Sequence, residues 1–260
     1  MELAAVCAVI PVEAADAPAS SDNKMIALTF DDGPSAYTTR ILNTLSENDC
    51  KATFFVAGNK ISSYSDTIRA AFSLDCEILG HSWNHEHLET LTADELRWNL
   101  QRTNDAIYDL LGTRPNMYRP PFGELGGNII DVSKEMGFAI IMWSVNPEDW
   151  SHENADITYD RIMNSVTAGS IILCHDIVGS TADAMERVIP ELISRGYTLV
   201  TVSELLGETE AGKVYRQQLQ GLPPVDPFDP VTGVYTVQSG DSLWRIAQKF
   251  DVTVDAIKVL

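Results

Sequence analysis

No apolar run in this chain reaches 18 residues, so no transmembrane helix is predicted. Basic residues are scarce, because 18 Lys and Arg stand against 37 Asp and Glu, for a formal net charge of −19. This excess argues against a nucleic-acid partner and against docking onto anionic lipid by charge. With 45% apolar residues over 260 positions, the chain can form one large α/β domain with a small appendage, or two medium domains.

Cysteine is also sparse, and the four cysteines form no C-x-x-C pair, which argues against a cysteine-type zinc site or a thioredoxin-like motif. Cys50 and Cys76 each precede an apolar run that we predict to be a strand. If those strands are neighbours, the two thiols could approach disulfide distance, as an exported protein permits. Two unpaired thiols at strand ends are an equally good interpretation.

The first 23 residues contain a short, mildly apolar stretch, Leu3–Val12, followed by small residues. Small residues fit the cleavage region of an export signal, but the basic start is missing and the apolar core is short. We interpret residues 1–23 as an export-signal remnant, with a disordered tail as the alternative. The protein is therefore expected to be extracellular or in the cell envelope.

Between residues 24 and 206, short apolar runs alternate with segments whose apolar residues recur every three or four positions. The predicted strands are Met25–Phe30, Ala52–Val56, Glu77–Leu79, Met117–Arg119, Phe138–Trp143, Ser170–Leu173 and Thr198–Val200. The predicted helices are Thr38–Glu47, Thr92–Leu111, Ile129–Met136, Ile157–Val166 and Ala182–Arg195. This alternation predicts an α/β fold whose mainly parallel sheet closes, or nearly closes, into a barrel.

The composition changes after Leu206. Residues 207–221 are polar and residues 222–230 contain four prolines, so residues 207–233 are predicted to be a semi-rigid linker. From Val234 the pattern indicates a short strand, a Gly-containing turn and an amphipathic helix. The 27 residues from 234 to 260 are too few to bury an independent core.

Two segments carry groups suited to a metal ion. Asp31 and Asp32 end the first predicted strand and repel each other unless a cation stabilises both, although Asp-Asp-Gly turns are common on surfaces. His81 and His85 have the spacing that lets two imidazoles on a helical turn reach one ion. With a carboxylate such as Asp32, they would form a site with open positions suited to Zn²⁺ or Fe²⁺. Satisfied surface histidines are the plainer alternative.

Three further polar segments follow predicted strands. Arg119 begins the sequence RPPFG, Asn146 begins NPEDW, and His175 follows an apolar strand in LCHD. All five segments lie at or after the carboxyl ends of strands, where parallel α/β barrels gather their active sites. This coincidence favours a functional site over five chance surface groups.

In this order the five segments resemble the motifs of the NodB-type polysaccharide deacetylases, carbohydrate esterase family four. The family pattern is T-F-D-D-G, H-[ST]-x-x-H, R-x-P-[FY], a D-W pair and L-x-H, and the resemblance covers residues 24–206. It implies a distorted (β/α) barrel of about seven parallel strands. It also implies metal-dependent hydrolysis of N-acetyl or O-acetyl groups on glycans.

The resemblance also implies a role for each matching residue. Asp31 would be the catalytic base, held ionised and oriented by Arg119. His175 would be the general acid, positioned and charged by Asp149. The other matches are the metal ligands Asp32, His81 and His85, the backbone N–H near Phe122 for the oxyanion, and Trp150 and Leu173 as walls of the acetyl pocket.

Two features qualify the resemblance. Asn146 stands where many relatives have an acid, three residues before the aspartate of the D-W pair, which leaves the local hydrogen bonding open. The segment from Tyr235 (YTVQSGDSLWRIA) resembles the first half of a LysM module, a binder of N-acetylglucosamine polymers. Its second helix is cut short and its closing strand is absent. Residues 234–260 are therefore expected to be an incomplete LysM (βααβ) module that neither folds stably nor binds glycan.

The expected activity is removal of N-acetyl groups from a polysaccharide containing N-acetylglucosamine, with peptidoglycan ranked before chitin oligosaccharide. The expected cofactor is one divalent ion, Zn²⁺ before Co²⁺ or Mn²⁺. An O-acetyl esterase acting on xylan would use the same motifs, and the LysM-like tail is what favours the amino-sugar polymer. A non-catalytic glycan-binding protein would need a broken motif, and none is found in the base, the ligands or the acid.

The remaining aromatic and histidine residues have plainer interpretations. The tryptophans could stack on sugars, but aromatic residues usually pack in cores, so a binding role is expected first for Trp150 and then for Trp83, not for Trp98 or Trp143. The remaining histidines, His87 and His152, are interpreted as solvated surface residues.

Overall fold

The computed structural model describes residues 24–218 and two short strands beyond them, Phe228–Asp229 and Val234–Tyr235. The predictions for residues 1–23, for most of the linker after Gln218 and for the LysM-like segment lie outside the described residues. The two short strands pair antiparallel within a second unit, residues 219–260. Among the described residues, no helix combines the length and apolar character needed to cross a bilayer.

Strands and helices alternate through the first unit, as the sequence predicts. The strands are β1 (Lys24–Asp31), β2 (Thr53–Val56), β3 (Glu77–Gly80), β4 (Met117–Tyr118), β5 (Ala139–Ile141), β6 (Ile171–His175), β7 (Tyr197–Val200) and β8 (Val214–Tyr215). The helices are α1 (Thr38–Glu47), α2 (Ser65–Ser73), α3 (Ala93–Leu111), α4 (Ile129–Met136), α5 (Asp149–His152), α6 (Ala155–Ser165), α7 (Gly179–Ser194) and α8 (Val202–Leu206). The sequence did not reveal α2, α5 and α8. In α2 only Ile68 and Ala71 are buried, too few to give an apolar period.

The parallel sheet curls into a distorted barrel, which confirms the predicted fold class. Its strand order is β6-β1-β2-β3-β4-β5-β8, and β7 pairs with the first half of β1. Beyond β5, Val145 forms a parallel bridge with Ile172 of β6. The Leu173 N–H also donates to the Val145 carbonyl at 2.9 Å. The chain after β5 therefore returns to β6 and closes the ring.

Strand β8 lies inside the stretch that the sequence assigned to the linker. It pairs with β5, with Val214 beside Ile140. The Gln218 N–H donates to the Gly169 carbonyl at 2.8 Å, just before β6. The chain as far as Gln218 thus belongs with the first unit. A two-residue strand in a polar stretch has no period to detect, so the sequence could not reveal it.

Side-chain alternation along β1 decides which residues reach the interior of the barrel. Leu28 and Phe30 are fully buried on the helix-covered side of the sheet. Ala27 packs in a separate cluster with Phe55, Met117 and Ile141, inside the barrel. Asp31 is four positions after Ala27 and therefore also points into the barrel, at the carboxyl end of the strand. The burial of Phe30 on the opposite side stabilises this register by about 1.5–3 kcal/mol.

Local signals in the sequence are confirmed at the helix ends. Thr92 and Glu95 form a reciprocal capping box at the start of α3. Gly137 ends α4 with φ of 82°, the left-handed conformation that glycine adopts without strain. Cys50 and Cys76 are free thiols in this structure. Burial raises the pKa of the Cys50 thiol to about 12 and that of Cys76 to about 11.

Candidate active site

The predicted site residues meet at the carboxyl end of the barrel. Asp31 ends β1 and His175 ends β6, and the two residues are direct neighbours in the sheet register. An open cleft of about 400 Å³ lies over this edge. Its lining comprises Asp31, Asp32, His81, His85, Pro120, Phe122, Trp143, Asn146, Trp150, Leu173 and His175. Arg119 and Asp149 are fully buried and reach the cleft only through Asp31 and His175.

Asp31 is buried and has one of its two carboxylate oxygens anchored. Its Oδ1 accepts a hydrogen bond from Arg119 Nη1 at 2.6 Å. Its Oδ2 lies 3.8 Å from His81 Nε2, on the side of the histidine pair. Burial lowers the pKa of Arg119, and the Asp31 carboxylate opposes that shift. A guanidinium stays charged in proteins, so Asp31 has a permanent counter-charge.

Arg119 spans the interior of the barrel from β4. Its Nη1 also donates to Thr29 Oγ1 at 2.8 Å, while Nε and Nη2 donate to the carbonyls of Ile141 and Met142 at 3.2 and 3.0 Å. The guanidinium carbon lies 4.0 Å from the centre of the Phe55 ring on β2. These bonds compensate the burial of the charge and fix the guanidinium orientation.

Asp32, His81 and His85 place three donor atoms together. Asp32 Oδ1 lies 3.2 Å from His81 Nε2 and 3.1 Å from His85 Nε2, and the donor atoms all lie within 4.8 Å of one another. His81 Nδ1 is 2.8 Å from the Arg119 carbonyl, which only accepts, so Nδ1 carries a proton and Nε2 is the nitrogen that faces Asp32. Within the described residues this is the sole cluster of at least three such donors.

The donor chemistry of this cluster fits a divalent cation. Asp32 Oδ1 is buried and has no well-formed hydrogen bond, an arrangement that costs energy unless a cation is bound. Burial raises the pKa of Asp32, but the neighbouring imidazoles of His81 and His85 outweigh it and hold the pKa well below its usual value. An ionised carboxylate with two imidazoles is the donor set of catalytic zinc sites.

Asp149 fixes His175 through both of its carboxylate oxygens. Its Oδ1 bonds His175 Nδ1 at 2.8 Å, and its Oδ2 accepts from the His175 backbone N–H at 2.8 Å and from Thr181 Oγ1 at 2.7 Å. Burial lowers the pKa of His175, but the Asp149 carboxylate and the charges of Asp31 and Asp32 outweigh it and raise the pKa to about 8. His175 is therefore predominantly an imidazolium at neutral pH, with Nε2 unclaimed by Asp149.

Apolar and aromatic side chains line the rest of the cleft. Leu173 is 4% exposed, whereas Phe122 and Trp150 are 56% and 58% exposed, so the cleft has a closed apolar floor and an open aromatic rim. Asn146 Oδ1 accepts from the Glu148 N–H at 2.9 Å, which ties this side chain to its own turn. Trp143 is half-buried and packs against the core, as its position in an apolar run indicated, and it also lines the cleft.

Backbone strain is concentrated in the loops of this cleft. Eight of the described non-glycine residues have positive φ, and five of these lie in the loops around the site. The five are Asp32 (71°), Ser82 (60°), His85 (61°), Phe122 (58°) and Glu148 (57°). Such conformations cost about 1–3 kcal/mol each and persist where the surroundings impose them, most often at functional sites.

Two residues near the site have contacts that the sequence did not suggest. His87 is exposed, as expected for a surface histidine, but its ring stacks on Phe122 at 4.1 Å and hydrogen-bonds to Glu124. Asp176 is fully buried, and its Oδ2 accepts from Thr38 Oγ1 at 2.5 Å. Burial raises the pKa of Asp176 to about 7.

The other expected surface histidine, His152, is half-buried, and its Nε2 is 3.0 Å from the Pro147 carbonyl.

Comparison with known proteins gives matches over both units. A polysaccharide deacetylase family model matches residues 19–141, and a LysM domain model matches residues 235–260. The chain is 37% identical over 206 residues to the peptidoglycan-N-acetylglucosamine deacetylase PgdA of Listeria monocytogenes. It is 39% identical over 185 residues to the peptidoglycan-N-acetylmuramic acid deacetylase PdaC of Bacillus subtilis. These matches cover 78% and 71% of this chain but only 44% and 39% of the two relatives.

Shorter relatives and solved structures match over most of their length. A peptidoglycan-N-acetylglucosamine deacetylase of Bacillus cereus is 31% identical over 193 residues, which are 72% of this chain and 70% of that protein. The solved structure of Bacillus subtilis PdaC gives a TM-score of 0.68 at 38% identity, covering 72% of this chain and 91% of that chain. The similarity is thus to the deacetylase portion of these proteins.

Proposed function

Because this chain belongs to the polysaccharide deacetylase family, we propose that it is a metal-dependent hydrolase that removes N-acetyl groups from N-acetylglucosamine units of peptidoglycan. One observation carries the proposal: a carboxylate paired with a permanent positive charge, a histidine with a raised pKa and a three-donor cation site all meet in one cleft. Amide hydrolysis needs a base, an acid and a stabiliser of the oxyanion, and these groups supply all three.

The metal would be held by Asp32, His81 and His85, whose donor atoms already converge. A bound Zn²⁺, or else Co²⁺ or Mn²⁺, would polarise the acetyl carbonyl and activate water as the nucleophile. The protein prepares this site through the His81 tautomer, because the Arg119 carbonyl holds the proton on Nδ1. The strained backbone of Asp32 and His85 aims both side chains at one point.

Asp31 would take a proton from the attacking water. Its Oδ1 is occupied by Arg119, so Oδ2 is the oxygen that remains for the reaction. The hydrogen bond from Arg119 keeps the orientation of this carboxylate fixed. General-base catalysis of this kind contributes about 10²–10⁴-fold to the rate.

His175 would protonate the departing amine. An amide anion is a very poor leaving group, so nitrogen must receive a proton before the bond to carbon breaks. His175 Nδ1 is engaged by Asp149, which leaves the proton on Nε2 for transfer. A pKa of about 8 keeps that proton available at neutral pH. The backbone N–H near Phe122 would assist the oxyanion, with Leu173 and Trp150 beside the acetyl methyl.

Two alternatives concern the substrate. The relative with 39% identity acts on N-acetylmuramic acid, which favours that sugar as the second candidate. O-acetyl groups of xylan are the third, because an ester releases an alkoxide, which is a far better leaving group than an amide anion, and the same residues would suffice. An exported, cell-envelope location fits a peptidoglycan substrate and belongs to the same proposal.

Acetate release tests the proposal. The metal-stripped protein is assayed on peptidoglycan, N-acetylglucosamine oligomers and acetylated xylan before and after addition of Zn²⁺ or Co²⁺. We expect metal-restored release from peptidoglycan and the oligomers, and mass analysis of the products identifies the deacetylated sugar. His85→Gln is the control, because it removes one proposed ligand and should abolish restoration. Release from xylan alone would make the protein an esterase, and metal binding without any release would make it a glycan-binding protein.

A further inference from the structure

Outside the cleft, Arg102 of α3 lies against two tryptophan rings. Its guanidinium carbon is 3.6 Å from the centre of the Trp83 ring and 4.7 Å from that of the Trp98 ring. Both distances lie within the range of about 6 Å for cation–π attraction. A guanidinium held over aromatic rings keeps the N–H donors along its edge for another group. We name Trp83, Trp98 and Arg102 the α3 platform.

Arg102 differs from its neighbours in having no acidic partner. Arg97, on the same helix, pairs with Asp94 and Glu135, and Arg114 pairs with Asp105. Arg102 is exposed and forms no ion pair or side-chain hydrogen bond with any residue between 24 and 218. In a chain with a net charge of −19, such a cation is a ready binding point for a carboxylate.

The platform is joined to the loop that carries the histidine ligands. Trp83 lies between His81 and His85, and its backbone N–H donates to Asn99 Oδ1 of α3 at 3.0 Å. Its ring packs on Gly58, where an added Cβ would come within 2.4 Å of the indole. Gly58 follows β2, so the platform lies at the carboxyl edge of the barrel, as the cleft does. Trp98 leaves 58% of its surface exposed beside it.

We propose that the α3 platform binds a stem-peptide carboxylate of peptidoglycan next to the sugar in the cleft. The peptide carries the free carboxylates of an intact strand, because the lactyl carboxylate of each substituted muramic acid is consumed in the amide to the peptide. Arg102 would pair with that carboxylate, and Trp98 would offer apolar contact to the adjoining peptide. This inference rests on the proposed function and adds that the enzyme recognises the peptide substituent of its substrate.

Kinetics of Arg102→Gln test this inference. KM is measured on peptide-bearing peptidoglycan fragments and on neutral N-acetylglucosamine oligomers. Loss of the charged hydrogen bond should raise the KM for the fragments, relative to the KM for the neutral oligomers, about tenfold. The kcat on the fragments should stay unchanged. Arg114→Gln is the matched control, because Arg114 also lies over an aromatic ring, 4.1 Å from Tyr108, but already pairs with Asp105. It should leave the ratio unchanged.

Two further measurements separate the outcomes. Amidase-treated strands lack the peptide but regain the lactyl carboxylate, so a persistent effect of Arg102→Gln on them would overturn the stem-peptide assignment. An unchanged KM ratio on the untreated fragments would overturn the platform itself. If the wild-type protein releases no acetate at all, the proposed function fails, and calorimetric binding of peptide-bearing fragments to wild type and Arg102→Gln still decides the platform. Equal affinity of the two proteins would then reject it.

Discussion

Asp31 and Asp149 are both buried acids at the carboxyl end of the barrel, but they differ in how their oxygens are used. Asp149 has both oxygens occupied, by the ring and backbone of His175 and by Thr181. Asp31 has one oxygen bonded to Arg119 and the other 3.8 Å from His81 Nε2, on the side of the candidate metal site. Their partners differ as well, since an imidazolium can release a proton and a guanidinium cannot. An acid with a free oxygen and a permanent counter-charge suits a base, whereas a fully bonded acid suits the support of a proton donor.

The largest effect is expected from removing the charge of Asp31. Asp31→Asn should lower kcat about 10³-fold, because the amide cannot accept the proton of the attacking water. Zn²⁺ affinity, measured by competition with a chelator, should stay within a few-fold of wild type, since Asp31 is not among the three ligands. Asp32→Asn is the contrasting variant and should lose zinc binding. Loss of zinc binding in Asp31→Asn would show that the first acid is a ligand and not a base.

The next effect concerns the proton donor. His175→Ala should lower amide hydrolysis about 10²-fold, but hydrolysis of an activated acetate ester less than tenfold, because an activated alcohol departs without protonation. Parallel assays on an N-acetylglucosamine oligomer and an aryl acetate measure the two losses. Equal losses on both substrates would contradict the acid role of His175.

A smaller effect is expected from changing the support of that donor. Asp149 and the other nearby acids raise the pKa of His175 to about 8. As an acid His175 acts when protonated, so activity should fall as pH rises through about 8. Asp149→Asn should move this alkaline limb about one pH unit lower, toward the usual histidine value. The pH dependence of kcat/KM on the oligomer measures this shift. If the alkaline limb lies at the same pH in Asp149→Asn and in the wild type, another group is responsible for it.

The same pKa shift has a consequence for stability. A raised folded-state pKa means that the charged pair stabilises the fold fully below the ordinary histidine value of 6.5, and that this contribution is lost as pH rises through about 8. The melting temperature of the wild type should therefore fall across this window more than that of Asp149→Asn.

The smallest effect is expected from Thr181→Val, which keeps the shape of the side chain but removes its hydrogen bond to Asp149. One neutral-to-charged hydrogen bond lost at a buried site should reduce the free energy of unfolding by about 1.5–3 kcal/mol. Chemical denaturation measures that loss. A rate loss as large as that of His175→Ala would mean that Thr181 takes part in the reaction itself.

The sequence predicted the residues of the cleft because two simple rules place them. Parallel strands present their carboxyl ends at one edge, and alternation along β1 turns Asp31 inward while Phe30 packs outward. The residue types of the five segments then carried the resemblance to a known family. The capping residues of α3 and α4 are also local signals, and the sequence predicted both helix ends from them.

What the sequence did not reveal depends on contacts between distant segments. Strand β8 has only two residues, and it is a strand only because it pairs with β5. The Trp83–Arg102 contact joins a loop to a helix, and only the four-residue spacing of Trp98 and Arg102 on α3 is visible beforehand. Trp143 packs against the core, as its apolar run indicated, but its second contact, with the cleft, was not predicted.

Arg119 has a consequence for how the enzyme becomes active as it folds. From β4 its side chain reaches β1 through Thr29 and Asp31, and the β5 segment through two carbonyls, while its own carbonyl fixes His81. The bonds to β1 cross the interior of the barrel, because β2 and β3 lie between β1 and β4 in the sheet, so they require those strands to be assembled. The Asp31 carboxylate therefore acquires its fixed orientation only when these strands have come together. Regain of activity during refolding should therefore coincide with assembly of the barrel, and partly folded intermediates should be inactive.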